Sequence, residues 1–239
     1  MLYHYLRKAQ NLLFPACCVL CNAKSKRNID LCHECEQDLP WAIQVCVQCG
    51  QTMPKNNYEQ QLCGQCIQKH SIIRRILPLC DYQAPLDNLI TAAKFHGQLA
   101  YSHLFGELIA KRVREDWYKH QDLPDIIIAM PLHKKRLRER GYNQALEIAK
   151  PVAKQLKIRL NLNSCQRNKA TTAQTELTAN ARAQNVKGAF IVRHPMPAKH
   201  VAIIDDVVTT GHTVNELAHC LKQAGVSIID VWCCARTNV

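Results

Sequence analysis

The 239-residue sequence predicts an α/β protein: a parallel sheet flanked by helices, preceded by a small cysteine-rich module. Two observations predict it. From about Ser71 onward, short β-branched apolar runs alternate with stretches of helical spacing, the pattern of a parallel sheet with both faces covered. Before Ser71 that pattern is missing, and four C-x-x-C pairs stand in its place. The expected division is 1–70, an N-terminal helix with the cysteine module, and 71–239, the α/β domain.

The first segment, M-L-Y-H-Y-L-R-K-A-Q-N-L-L-F, reads as an amphipathic helix. Arg7 and Lys8 interrupt it and no small-residue cleavage site follows, so it makes a poor signal peptide. No apolar run approaches the roughly 20 residues needed to span a bilayer. Both points predict a cytoplasmic protein without a membrane span. The formal net charge of +12 favours anionic partners such as phosphates or nucleic acid.

The cysteine pairs are Cys18/Cys21, Cys32/Cys35, Cys46/Cys49 and Cys63/Cys66. A C-x-x-C turn sets two thiolates on one side with backbone amides available to the sulfurs, and two such turns complete a tetrahedral site. Four pairs therefore imply two structural zinc ions with every position filled by cysteine. Disulfides are not expected in a reducing compartment. Sequential pairing, first with second and third with fourth, is the simplest; a cross-braced pairing fits the spacing as well. Cys17 could replace Cys18, and His33 lies inside a knuckle where its side chain should point away from the metal. Charge bookkeeping with two Zn²⁺ and eight thiolates lowers the formal charge to roughly +8, still basic. Cys80, Cys165, Cys220, Cys233 and Cys234 read as small buried hydrophobes.

In the second part, Ile72 to Tyr82 reads as a strand or hairpin, and Leu86 to Ala93 and Leu99 to Arg114 as helices. Ile126 to Met130 is a buried-type strand and Tyr142 to Leu156 a helix. Phe190 to Val192, Val201 to Ile204 and Ile228 to Cys234 supply further strands. A helix from Val214 to Ala224 is closed by Gly225.

Three segments carry chemistry. In V-A-I-I-D-D-V-V-T-T-G-H-T, Val201 to Thr213, a buried strand runs into Asp205 and Asp206 and then a Thr/Gly loop ahead of a helix. Carboxylates at the carboxyl end of a parallel strand suit vicinal hydroxyls or hydrated Mg²⁺, and the loop offers amides and hydroxyls to a phosphate. One ribose and one phosphate in one loop point to a ribose 5-phosphate. In P-L-H-K-K-R-L-R-E-R-G-Y-N-Q, Pro131 to Gln144, basic side chains and Gly141 follow the Ile126 strand, where a pyrophosphate would be held. The polar stretch Arg167 to Asn185 lacks apolar periodicity and reads as a lid, with Arg167, Lys169, Thr172, Gln174 and Arg182 able to cover an anion.

Together with K-F-H-G at Lys94, R-N-K-A-T-T-A-Q at Arg167 and the cysteine knuckles, these motifs resemble the ComF family, which includes the GntX-type proteins. The resemblance covers nearly the whole chain. It implies a double zinc ribbon followed by a type I phosphoribosyltransferase domain that binds phosphoribosyl pyrophosphate (PRPP) with Mg²⁺. In that mapping Asp205 and Asp206 hold the ribose hydroxyls and Mg²⁺ as the catalytic carboxylates. Val207, Thr209, Thr210, Gly211, His212 and Thr213 complete the PRPP loop. Arg136, Arg140 and Gly141 face pyrophosphate, and Arg167, Gln174 and Arg182 belong to the lid. The resemblance also implies a part in natural transformation, with imported single-stranded DNA handled in the cytoplasm beside competence or recombination proteins. It leaves turnover open: the chain either transfers phosphoribose to an acceptor the sequence does not identify, or keeps the PRPP site for sensing while it binds DNA.

Overall fold

The computed structural model describes residues 16–25, 27, 29–54, 61–69, 71–169 and 186–237. They fall into two compact units divided between Leu39 and Pro40. The expected N-terminal helix and most of the lid segment, including Thr172, Gln174 and Arg182, lie outside the described residues.

The first unit is built around one pair of knuckles. An antiparallel bridge joins Cys17 to Lys24. The Cys18 amide donates to the Ala23 carbonyl at 2.8 Å, and Ser25 Oγ to the Leu31 carbonyl at 3.2 Å. Helix α1, His33–Gln37, begins at Cys32, and its buried Glu36 pairs with Arg27.

The second unit holds a five-stranded, all-parallel sheet in the order β1-β7-β6-β2-β3: β1 Arg75–Asp81, β2 Ile126–Ala129, β3 Arg159–Asn161, β6 His200–Val208 and β7 Ile228–Arg236. A separate antiparallel pair joins β4, Cys165–Arg167, to β5, Phe190–Val192. Helices α3 Leu86–Phe95, α4 Leu99–Arg112, α6 Gln144–Leu156 and α7 His212–Gln223 accompany the sheet, with a π-turn at Val113–Trp117. Its central strands are apolar on both faces: Val201 to Ile204 and Val231 to Ala235 are fully buried. That burial is why periodicity identified them as strands of a parallel sheet.

The second pair of knuckles belongs to this unit and covers the free edge of β1. The Gln48 carbonyl accepts from the Ile76 amide at 2.9 Å, the Ala42 amide donates to Leu79 at 3.2 Å, and the Asp81 amide donates to Pro40 at 2.8 Å. An edge strand that would otherwise present unpaired amides is thereby closed. The short helix α2, Gly64–Gln68, starts at Cys63.

Several elements differ from expectation. Strand β6 does not stop at Ile204; it continues through both acids to Val208, still paired with β7. Residues Phe190 to Val192 form a strand outside the parallel sheet, because their partner is the short segment Cys165–Arg167, too brief and polar to announce itself. The basic run after β2 contains a helix of its own, α5 Lys134–Arg140, ending at Gly141. Cys80, Cys165, Cys233 and Cys234 are buried and Cys220 is half-buried, as small hydrophobes should be.

At the amino end of the sheet lies one fully buried carboxylate, Asp230. Arg74 Nε donates to it at 2.9 Å, His200 Nε2 lies 3.0 Å away and the Tyr118 hydroxyl donates to it. Trp232 Nε1 donates in turn to that hydroxyl at 3.2 Å, and Arg75 stacks 4.3 Å from the Tyr118 ring centroid. Burial pushes this carboxyl up, but bonds from Arg74, His200 and Tyr118 outweigh it and hold it well below the usual range. Its contribution to stability is therefore complete above the ordinary carboxylate pKa of about 4 and is lost as pH falls below that. Asp230→Asn should lower unfolding free energy at pH 7 by about 3 kcal/mol or more. Urea titrations should show the gap between wild type and variant narrowing as the pH is lowered below about 4.

Candidate phosphoribosyl cleft and zinc centres

Chain connectivity decides where a ligand can enter. From β2 the chain crosses outward to β3, whereas from β6 it crosses the other way to β7. The switch point lies between the carboxyl ends of β2 and β6, the crevice in which open α/β sheets bind ligands. A cleft of about 950 Å³ opens there.

One wall is the end of β6. Asp205 and Asp206 line the cleft, followed by Val207, Thr209, Gly211 and Thr213. Asp205 Oδ1 accepts from the Asp206 amide at 2.9 Å, and Asp206 Oδ1 from the Val207 amide at 2.7 Å. The loop is only Thr209-Thr210-Gly211, because α7 already begins at His212. Gly211 takes φ +80°, a left-handed conformation that a side chain would strain. Its carbonyl accepts from both the Asn215 amide and Asn215 Nδ2, each at 3.0 Å. The first turn of α7 thus keeps amide donors for a ligand. His212 belongs to that helix rather than to the loop, and neither it nor Thr210 lines the cleft among the described residues.

The facing wall comes from α5. Arg136 and Arg140, four apart and so on one helical face, line the cleft, while Lys134, Lys135 and Arg138 are exposed. Arg140 stacks 5.2 Å from the Phe95 ring centroid. Gly141 closes the helix without lining the cleft. Arg167 also lines it, but from strand β4, where it lies 5.4 Å from the Phe190 ring centroid; the expected lid residue is held by a strand.

The lysine of K-F-H-G is a site residue that its motif alone leaves without a role. Lys94 Nζ lies 2.9 Å from Asp206 Oδ2. Three consecutive residues hold it there. Tyr142 donates to the Ala93 carbonyl, Gln144 Nε2 to the Lys94 carbonyl at 3.3 Å, and Asn143 Nδ2 to Met130 at 3.0 Å while its Oδ1 caps α6. The Y-N-Q motif therefore satisfies carbonyls at the end of α3 and joins that end to β2. No spacing rule could have connected Lys94 with Asp206, which are 112 positions apart in the chain.

The electrostatics follow from this crowding. Burial pushes the Asp205 carboxyl up and Asp206 adds to the effect, bringing it to about 8 despite Lys94. Burial works against the charge on Lys94, yet Asp206 and Asp205 raise its pKa. Arg140 and Arg167 are both lowered, first by burial and then, against the pull of the acids, by Arg136. Among the described residues, four cations, Lys94, Arg136, Arg140 and Arg167, share the cleft with three acids, Glu139, Asp205 and Asp206. Arginines that repel one another across a partly desolvated space favour an anion between them.

The cysteines resolve into Cys18, Cys21, Cys32, Cys35 and Cys46, Cys49, Cys63, Cys66, each group with its sulfurs within 4.8 Å of one another. Pairing is sequential. Cys17 lies outside the first group, and His33 Nε2 is 3.2 Å from Gln37 at an exposed position. Burial pushes the Cys18 thiol up, but amides of Cys32, Cys21 and Leu20 bring it down to about 6; amides of Cys49, Cys63 and Gln48 likewise bring Cys46 to about 7. The other cysteines whose thiols shift, Cys32, Cys35, Cys49 and Cys66, are raised, and it is the four sulfurs brought together in each group that fit a structural Zn²⁺ with no open position. Thiol modification of the intact protein should release two zinc equivalents per chain, read with a colorimetric chelator.

Domain comparisons agree with this geometry. Residues 9–67 match the double zinc ribbon domain and residues 143–238 the phosphoribosyl transferase domain. The chain is thus a protein with a phosphoribosyltransferase domain and a double zinc ribbon. It is 35% identical over 165 residues to DNA utilization protein YhgH of Escherichia coli O6:H1, covering 69% of this chain and 73% of that one. It is 38% identical over 159 residues to Competence protein F of Haemophilus influenzae, covering 65% and 69%. The chain belongs to the ComF family. Among solved structures, a glutamine PRPP amidotransferase from B. subtilis overlaps 56% of this chain and 26% of its own at 16% identity and a TM-score of 0.38.

Proposed function

We propose that this protein is a ComF-type competence factor that binds PRPP with Mg²⁺ in the cleft and handles incoming single-stranded DNA in the cytoplasm. The observation that carries the PRPP reading is the opposition of two walls at the switch point. Asp205, Asp206 and the Thr209–Gly211 loop stand on one side, and Arg136 and Arg140 on the other. A sugar carrying phosphate at one end and pyrophosphate at the other matches that distribution. Asp205 and Asp206 take the ribose hydroxyls and the cation, Thr209, Gly211, Thr213 and the α7 amides take the 5-phosphate, and Arg136 and Arg140 take the pyrophosphate. Thr210 and His212 support the loop from outside the cleft. Arg167 joins the pyrophosphate side, with Gln174 and Arg182 assigned to the lid. Mg²⁺ would neutralise charge that builds on departing pyrophosphate. Calorimetric titration with PRPP and Mg²⁺ should show binding to wild type and none to the Asp205→Ala/Asp206→Ala double variant; retained binding would refute the site.

The DNA part of the proposal rests on the names of the relatives and on the second face of α5. Lys134, Lys135 and Arg138 are exposed beside the cleft. Backbone charge contacts of this kind weaken steeply with salt. Oligonucleotide binding measured across salt concentrations should give a steep slope, and Lys134→Gln/Lys135→Gln/Arg138→Gln should flatten it by about 2, near 0.7 per lost contact. PRPP binding should be unchanged in that variant, and salt-insensitive DNA binding would rule out the DNA reading.

A second reading has its own support. The cleft is at the upper end of the size range for small-molecule sites, and two partly exposed aromatics, Tyr82 and Phe95, line it. That leaves room for a planar acceptor beside the sugar, and an active phosphoribosyltransferase in nucleotide metabolism without a DNA role would use it. Pyrophosphate release from PRPP on addition of candidate bases separates the two.

A further inference from the structure

The second cysteine cluster is joined to the phosphate loop by one buried side chain. Arg236 ends β7 and is 5% exposed. Its Nε donates to the carbonyl of Cys49 at 3.0 Å, and its Nη1 donates to the carbonyl of Val208 at 3.0 Å. The next amide, Thr237, donates to the same Val208 carbonyl at 3.1 Å. Val208 is the last residue of β6 and directly precedes Thr209. The same guanidinium thus touches a residue of the second cluster and the root of the Thr209–Gly211 loop.

The knuckle end of this link is rigid. Gly50, next to Cys49, has φ +68°, and a Cβ there would fall 2.8 Å from the Ile76 carbonyl oxygen and 2.9 Å from Pro78. Only glycine allows the knuckle to lie so close to β1, and the Ile76 amide bond to Gln48 fixes it in place. The charge is also accounted for. A buried guanidinium needs a counter-charge, and among the described residues no carboxylate forms an ion pair with Arg236. Zn²⁺ held by four thiolates carries a net charge of about −2, which suits a buried cation beside it.

We infer that the second cluster positions the phosphate loop through Arg236, so that an intact cluster is a condition for anion binding in the cleft. Arg236 is a positioning residue: it holds the Val208 carbonyl and reaches the ligand only through the loop. This rests on reading Thr209–Gly211 as the phosphate-binding loop. Loss of the second cluster's metal, by thiol oxidation or chelation, lowers the cleft's affinity for phosphorylated sugars.

The test uses the full chain with both metals. Arg236→Met, Arg236→Lys and Cys66→Ser are compared with wild type by zinc content, by amide hydrogen exchange at residues 209–215 and by calorimetric titration with PRPP and Mg²⁺. Arg236→Met should retain two zinc per chain, exchange the loop amides at least tenfold faster and bind PRPP at least tenfold more weakly. Arg236→Lys, which keeps the charge but only one carbonyl bond, should fall between. Cys66→Ser, which leaves Arg236 and both of its carbonyl partners in place, should lose one zinc and reproduce both loop effects while amides of Ile126–Ala129 stay protected. Should the methionine variant not fold, the lysine and Cys66→Ser variants still carry the comparison. Unchanged loop exchange in a variant that has lost Arg236 or the second zinc overturns the inference. Faster loop exchange with no PRPP binding even in wild type would leave the coupling standing and refute the ligand assignment instead.

Discussion

Parallel pairing between β6 and β7, continued past the two acids to Val208, is the constraint on which the other features depend. A strand that stopped at Ile204 would leave Asp205 and Asp206 on a loop, free to turn toward water. Held at the end of the ladder, both residues line the crevice, and Asp206 adds to the cost of ionising the buried Asp205. Lys94 returns a charge to the pair.

Opposite ends of the sheet handle charge in different ways. At the amino end, Asp230 is satisfied by Arg74, Tyr118 and His200, and the network joins the start of β6 to β7 and to the residue before β1. At the carboxyl end the cleft gathers Lys94, Arg136, Arg140 and Arg167 around Asp205 and Asp206, with Lys94 paired to Asp206. Clustered charges with shifted pKa values are common where ligands bind. The Y-N-Q motif braces the carboxyl end. It spends three side chains on backbone carbonyls so that Lys94 and the base of α6 stay where the cleft needs them.

Much of this was legible in the sequence, for identifiable reasons. Strands buried on both faces show as unbroken apolar runs, and knuckle spacing is fixed by the turn that sets two sulfurs together. The Asp-Asp and Thr/Gly strings stand out because two acids and a Thr/Gly loop directly follow an apolar run. What stayed hidden was whatever depends on contact across the chain. Strand β3 is three residues, Arg-Leu-Asn, with no pattern to detect. Cross-braced and sequential cysteine pairing share the same spacing, and only proximity separates them. Arg167 looked like the start of a lid until β5 supplied its partner strand. Arg236 offered no motif at all; its meaning comes from two carbonyls, one 187 and one 28 positions away.

The central claim is that the end of β6 and the inner face of α5 meet one phosphorylated sugar. The most direct measurement is an amide NMR titration of the zinc-loaded protein with ribose 5-phosphate, then with PRPP and Mg²⁺. The account predicts that ribose 5-phosphate shifts the amides of Thr209, Gly211 and Thr213 with those of Asp205 and Asp206, and that PRPP adds Arg136 and Arg140. Shifts confined to other surfaces, or none at saturating PRPP, would contradict it.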